Sequence, residues 1–243
     1  MPHFFINSNN LNNNIITIAD KENYNHIAKS LRAKIGESIL LIDENQIQYE
    51  GKINTITSNS IGIDVIKSYK SLRNLGFKLY LAQTPLRSDA QSLIVEKATE
   101  LGVTGIYPIF TDNCALKRNV IEQKIPRWQK IMLEASKQCE RASIPTCFEL
   151  YTMKELISNE NFDRIFAFTE RSADFKMKSY LRENPVLKNE KILVIIGPEG
   201  GFSKKEFEFF QKNNITTLSL VDLILKAETA VITALGNIVY EYE

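Results

Sequence analysis

Cysteine and histidine are scarce in this chain of 243 residues, with three of the first and two of the second. Cys114, Cys139 and Cys147 keep no CxxC spacing, and His3 and His26 stand far from them in sequence. Neither a disulfide framework nor a zinc site is expected. Long apolar runs are missing too; the longest are strand-sized, so no membrane-spanning helix is expected. The opening "MPHFFINSNN" turns polar after six residues and carries no Lys or Arg, so it does not read as a signal peptide, and a reducing cytoplasm is the expected compartment. Charge of one sign is not in excess: 30 Lys and Arg face 29 Asp and Glu, for a net charge of +1. The molecule is no polycation, and a nucleic-acid partner has to be met by a local patch. What is present is a chain 44% hydrophobic and 24% charged, long enough for one large core or two modest ones.

The first seventy residues hold short β-prone runs, "FFI", "IITIA", "SILLID", "QIQYEGKI" and "SIGIDVI", separated by Asn, Gly, Asp and Ser. Their alternation predicts a small barrel or sandwich. Such a module serves as an RNA-binding accessory or as a bare structural domain, and the pattern fits both. "KSYKSLRNLG", residues 67 to 76, is the expected passage to a second domain. From Phe77 onward strands and helices alternate. "FKLYLA" reads as a strand, then "SDAQSLIVEKATELG" as a helix opened by a Ser88–Gln91 capping box and stopped by Gly102. "VTGIYPIF" follows, then a long helix from 121 to about 142 with Ile125, Trp128, Met132, Ala135 and Cys139 on a core stripe. "RIFAF" at 164 to 168, "KILVII" at 191 to 196 and "TTLSL" at 216 to 220 are further strands, and "KAETAVITALGNIVY" a closing helix. The pattern predicts an α/β domain with a mainly parallel sheet covered by helices.

"IGPEGGFSKKEF", residues 195 to 206, places Gly197, Gly200 and Gly201 at the carboxyl end of a buried strand, where such folds bind ligands. Glycines there supply unusual backbone angles and let a ligand approach the main chain. Neither GxGxxG nor GxxxxGK is present, since Lys204 and Lys205 follow the helix-capping Ser203 instead. A plain tight turn before a helix would use the same letters. Glu199 is unsuited to phosphate but can neutralise a cation or bind ribose hydroxyls or an amine, which favours a neutral or cationic small molecule. In "LSLVDLILKAETA", residues 218 to 230, Ser219, Leu220 and Val221 are expected to end a strand. Ile224 and Leu225 offer backbone groups between apolar walls, suited to a flat heterocycle. Lys226 and Glu228 stand at the following helix start, where Thr229 and Ala230 are small enough for close packing.

Together "IGPEGGFSKKE" and "LILKAETA" resemble the C-terminal signature of the ribosomal RNA small-subunit methyltransferase E family. "VEKATELGVTGIYPIF" at 95 to 110, "RWQKIMLEASKQCERASIPTC" at 127 to 147 and "HIAKSLRAKIGESILLID" at 26 to 43 extend the likeness, in order, over nearly the whole chain. The resemblance implies transfer of a methyl group from S-adenosylmethionine to N3 of a uridine in 16S ribosomal RNA, on the assembled 30S subunit, by a homodimer. It implies a PUA-like β-barrel over residues 1–72 and, over 73–243, a SPOUT-type domain with a C-terminal deep trefoil knot. It assigns cofactor contacts to Thr169, Gly197, Pro198, Glu199, Gly200, Gly201, Ser219, Leu220, Ile224, Leu225, Ala227 and Thr229, with Glu228 in the same block. The chain departs from the family pattern at Val221, where a glycine is usual, and at Leu223 and Lys226, where arginines are usual. Lys226 keeps charge but not the planar fork.

Uridine N3 is a poor nucleophile until its proton is lost, so a base or a cation beside the uridinate oxygens is expected. Arg141 and Lys226 are the first candidates for that stabilisation, and Glu199 for the base. RNA contacts are expected from Arg32 and Lys34 in the β module, from Arg87, and from Arg127, Lys130, Lys137 and Arg141 opposite the apolar stripe of the long helix. A solvated charged face would look the same. Two other readings stay open: a SPOUT enzyme that methylates ribose 2′-oxygens, and an RNA-binding protein without activity.

Overall fold

The computed structural model describes residues 3–71, 74–170 and 172–243. It divides into two compact units, Met1–Asn74 with Ser136–Ser143, and Leu75–Ala135 with Ile144–Glu243. The expected boundary between 72 and 73 falls outside the described residues.

The first unit is a six-stranded sheet built from β1 (His3–Phe5), β2 (Leu11–Asn12), β3 (Ile15–Ile18), β4 (Ser38–Ile42), β5 (Ile47–Ile56) and β6 (Ile61–Lys70). The strands lie in the order β1-β4-β5-β6-β3-β2, antiparallel except for β1 beside β4. Alternation sets the buried face: Ile16 and Ile18 of β3 point inward while Ile15 and Thr17 stay exposed. Register shifts at Glu50/Gly51 and Ile53/Thr55 bend the long β5–β6 pair. Phe4, Leu41, Ile53 and Ile63 fill the interior with Ile27, which comes from the π-helical turn Asn25–Ser30 after a short helix, α1 (Lys21–Tyr24). β6 runs to Lys70, so the first half of the expected passage between domains is strand.

Asp43, directly after β4, is buried. Its carboxylate accepts hydrogen bonds from the Asn45 and Ile47 N–H groups and from the Tyr49 hydroxyl, each at 2.9 Å. Burial, and then this bond to Asp43, pushes the Tyr49 phenol up to about 12. The unfolded phenol ionises near 10. Tyr49 therefore contributes stability that is fully present below about pH 10 and lost as the pH rises toward 12. Tyr49→Phe is expected to be less stable than the parent at pH 8, by about 1 kcal/mol for the lost bond. Its urea midpoint should also fall less between pH 8 and 11; equal falls in the two proteins would contradict the assignment.

The second unit is an eight-stranded parallel sheet with helices on both faces. In chain order it contains β7 (Lys78–Gln83), α2 (Ser88–Glu100), β8 (Gly105–Phe110), α3 (Arg118–Gln138, its last three residues counted with the first unit), β9 (Thr146–Cys147), β10 (Tyr151–Thr152) and α4 (Met153–Asn159). There follow β11 (Arg164–Phe168), β12 (Phe175–Lys176), α5 (Met177–Glu183), β13 (Lys191–Ile196), α6 (Lys204–Lys212), β14 (Thr216–Ser219) and α7 (Ala227–Tyr242). The order is β10-β8-β7-β13-β11-β14-β12, with β9 also on β8. A parallel sheet covered on both sides needs strands apolar throughout, and β13 meets that demand. Its Ile192, Val194 and Ile196 pack with Leu81, Val95, Met132 and Leu235, while Leu193 and Ile195 pack with Tyr107, Leu156 and Phe210.

Two helix ends differ from expectation. Arg87, not Ser88, is the N-cap of α2, and the Gln91 Oε1 accepts the Leu86 N–H at 2.8 Å; the Ser88 side chain lies outside the described residues. α3 begins three residues early, at Arg118, and stops at Gln138 because Glu140 takes a left-handed φ of 55° while the Arg141 N–H turns back to the Ser136 carbonyl. Cys139 and Arg141 are thus beyond the helix. Trp128, Met132 and Ala135 form the buried stripe, with Ile125 packed beside it.

Candidate functional site

β13, β11 and β14 are neighbours in the sheet and release their chains at the same, carboxyl, end. After β13 the chain makes a tight turn in which the Gly201 N–H donates to the Pro198 carbonyl at 2.9 Å. Gly201 has φ +67°, a conformation that favours glycine. The other two glycines do not take such angles, contrary to expectation. Space explains them instead: a Cβ on Gly197 would lie 3.1 Å from the Phe202 ring, and one on Gly200 would lie 3.2 Å from the Asn113 Cβ. Ser203 caps α6 with Glu206 in a reciprocal box, the Ser203 N–H donating to Glu206 Oε2 at 2.7 Å and the Glu206 N–H to Ser203 Oγ at 3.3 Å.

The turn forms one wall of a cavity of about 690 Å³. Thr169, Gly197, Pro198, Glu199, Gly200 and Gly201 line it from the β11 and β13 ends, and Ile224, Leu225, Ala227 and Glu228 from the segment that leads into α7. A recess of about 50 Å³ shares Phe168, Thr169 and Leu225 with it and adds Leu220, Val221 and Leu223. The Thr169 hydroxyl is buried and finds no partner among the described residues. A buried hydroxyl left without a bond costs about 1–3 kcal/mol, which a ligand acceptor or donor would recover. Three acids, Glu170, Glu199 and Glu228, face the cavity together with Lys226. Lys226 is the N-cap residue of α7 and is exposed.

Two expected cofactor residues stand elsewhere. Ser219 belongs to β14 and its Oγ reaches the Phe175 carbonyl at 3.5 Å, and Thr229 is exposed on the first turn of α7; neither lines the cavity. β14 ends at Ser219, so Leu220 and Val221 are loop. Phe168, Glu170 and Ala230 were not anticipated as lining residues. Glu170 stands two residues past the strand end at 168, and that position relative to "RIFAF" is the one signal that points to it.

The expected cations are dispersed. Arg127 and Lys130 are exposed on α3, and Arg87 is exposed at the start of α2. In the β unit Lys34 is exposed, as is Arg32, which has φ 52°. The four residues read as one stripe on the long helix are not one: Arg141 lies past the helix end, and Lys137 is half-buried and pairs with Glu22 at 3.5 Å. The Arg141 Nε donates to the Ser143 carbonyl at 3.2 Å, and burial draws its guanidinium below its usual value. Arg141 is not among the residues that line the cavity. Among the described residues no group of three or more His, Cys, Asp or Glu could hold a metal ion, and no helix is long and apolar enough to cross a membrane.

A parallel α/β sheet with a glycine-walled cavity at its carboxyl end is an architecture that binds small ligands. The profile of the RNA methyltransferase domain matches residues 73–239, and that of the RNA methyltransferase PUA domain matches residues 18–66. The fold is accordingly a SPOUT-type α/β domain preceded in the chain by a small PUA-like module. The ribosomal RNA small subunit methyltransferase E of Buchnera aphidicola subsp. Acyrthosiphon pisum is 30% identical over 240 residues, covering 97% of this chain and 91% of that protein. The protein of the same name from Rickettsia conorii is 29% identical over 235 residues, covering 96% and 93%. The chain belongs to the ribosomal RNA small subunit methyltransferase E family. A crystal structure of a family member from Neisseria gonorrhoeae bound to S-adenosyl methionine superposes with a TM-score of 0.85 at 20% identity, covering 100% of this chain and 98% of that one, and so agrees in fold.

Proposed function

We propose that the protein transfers a methyl group from S-adenosylmethionine to N3 of a uridine in 16S ribosomal RNA. The cavity at the ends of β11 and β13, walled by the Gly197–Gly201 turn and holding the unpartnered Thr169 hydroxyl, carries this reading. Its residues fit the cofactor. The volume falls in the range of about 300–1,000 Å³ typical of small-molecule sites. Phe168, Ile224 and Leu225 offer apolar surface to a flat heterocycle, and Glu170, Glu199 and Glu228 suit a ligand with an ammonium group and a sulfonium centre. Such an acidic lining is poorly matched to a nucleoside triphosphate.

When bound, S-adenosylmethionine supplies an electrophilic methyl group. The chain's own part is to hold the acceptor in line, keep water out and manage one proton. Lys226, on the cavity lining, is the candidate for stabilising the uridinate oxygens as N3 loses its proton, and Glu199 is the candidate acceptor of that proton. Arg141 stays a candidate for the same stabilisation or for the RNA.

The reading extends to residues 1–72 as an RNA-binding β-barrel and 73–243 as the catalytic domain with a deep trefoil knot. It further includes a homodimer, action in the cytoplasm, and the assembled 30S subunit as substrate. Arg32, Lys34, Arg87, Arg127 and Lys130 are exposed and free to meet phosphates without naming a sequence. Nucleoside mass spectrometry tests the whole proposal: 30S subunits lacking the modification are incubated with the protein and labelled S-adenosylmethionine. Labelled 3-methyluridine is the expected product. A labelled 2′-O-methyl nucleoside would move the protein to the ribose-directed activity, and no product despite cofactor binding would leave an RNA-binding role.

A further inference from the structure

We infer that Asn113 is a positioning residue for the cofactor turn; the inference rests on the S-adenosylmethionine reading of the cavity. The loop after β8 is fastened at both of its ends. At its base the buried Thr111 hydroxyl lies 3.1 Å from the Thr84 hydroxyl, and the Cys114 N–H closes the loop onto the Thr111 carbonyl at 3.1 Å. At its tip Asp112 joins the cap of α6 twice, its N–H donating to Glu206 Oε1 at 3.0 Å and its Oδ2 accepting the Ser203 hydroxyl at 2.5 Å. Asn113 then reaches the glycine turn itself. Its Nδ2 donates to the Gly200 carbonyl at 3.2 Å and to the Gly201 carbonyl at 3.0 Å.

Those two bonds matter because of what they hold. Glycine peptides have the widest choice of conformations, so a turn containing two of them in succession would sample many orientations, and ordering it on binding would cost entropy. With both carbonyls taken by one amide, the 200 and 201 peptide groups have one orientation before any ligand arrives, which lowers the cost of binding. The packing shows the same dependence. A Cβ at position 200 would lie 3.2 Å from the Asn113 Cβ, a tight approach that a side chain at 200 could make only if Asn113 shifted, so glycine is favoured at 200 by the presence of Asn113 and not by backbone angle. Asn113 does not line the cavity, so it acts through the turn.

The test is a double-variant cycle read by calorimetric S-adenosylmethionine binding and by KM and kcat on 30S subunits. Asn113→Ala should raise Kd and the cofactor KM about 5- to 10-fold, the scale of one or two net hydrogen bonds, with a smaller change in kcat. Asn113→Asp, which keeps the shape and loses the donor, should show the same loss. Gly200→Ala should weaken binding in the parent and add little in Asn113→Gly, because the Asn113 Cβ that a Cβ at 200 would meet at 3.2 Å is then gone, whereas Asn113→Ala keeps it. Unchanged cofactor affinity in folded Asn113→Ala and Asn113→Asp, or additive losses in the double variant, overturns the inference. A parent protein that binds no S-adenosylmethionine at all overturns the cofactor reading, and the inference falls with it.

Discussion

Gly201→Val weakens S-adenosylmethionine binding by about 10- to 30-fold, while Gly201→Asn stays within about threefold of the parent. The difference follows from one dihedral angle. Gly201 sits at φ +67° and donates the 2.9 Å bond that closes the turn on Pro198. An L-residue in that region costs about 1–2 kcal/mol, more when the side chain is β-branched, and asparagine tolerates the region better than other non-glycine residues. A factor of ten in affinity is about 1.4 kcal/mol, so the strain alone accounts for the expected loss. Crowding is not the reason, because a Cβ at 201 meets nothing nearer than the Glu170 carboxylate at 3.9 Å. Calorimetric titration of the two variants decides it, with circular dichroism showing that both are folded. Equal affinities for Val and Asn would mean that the turn's conformation is not what the cofactor uses.

The asymmetry between Gly200 and Gly201 marks where sequence reasoning ends. "EGG" shows that backbone freedom is present; it does not show that one glycine is there for its angle and the other for a neighbour 87 residues earlier. The same boundary recurs through the fold. β11 and β13 coincide with the apolar runs "RIFAF" and "KILVII", because a strand buried on both faces leaves an unbroken hydrophobic signature. β9, β10 and β12 were not anticipated; two residues each, they exist through pairing with a neighbour and carry no period of their own. The α6 start is legible because Ser203 and Glu206 form a local box, whereas the end of α3 falls about four residues before the expected one because its stop depends on the left-handed Glu140 and not on a glycine. At the site, two of the chain segments that line the cavity, the glycine turn after β13 and the stretch before α7, are legible in their composition, whereas the one after β11 is not. The open Thr169 hydroxyl, the Asn113 bonds and the Lys137–Glu22 pair depend on tertiary neighbours, and no spacing encodes them.

Lys226→Met is expected to lower kcat about 100-fold with less than a threefold change in Kd for S-adenosylmethionine. Lys226 stands at the junction of the Ile224–Leu225 wall and α7, and it is the cation among three acids on the described lining. A ligand that carries positive charge gains nothing from it; an acceptor that becomes an anion does. Stabilisation confined to the developing charge appears in kcat and not in cofactor affinity, and removing one such donor commonly costs about 10²–10³ in rate. The pH profile gives a second, independent sign. Loss of a nearby cation makes the N3 proton harder to remove, so the rise of rate with pH should move to higher pH in Lys226→Met and be partly restored in Lys226→Arg, which returns the charge. Glu199→Gln separates the two candidate roles: if Glu199 accepts the proton, its variant loses the rise with pH itself instead of displacing it. A Lys226→Met enzyme with parental kcat and an unmoved profile would take the charge stabilisation away from this side chain and leave Arg141 to supply it.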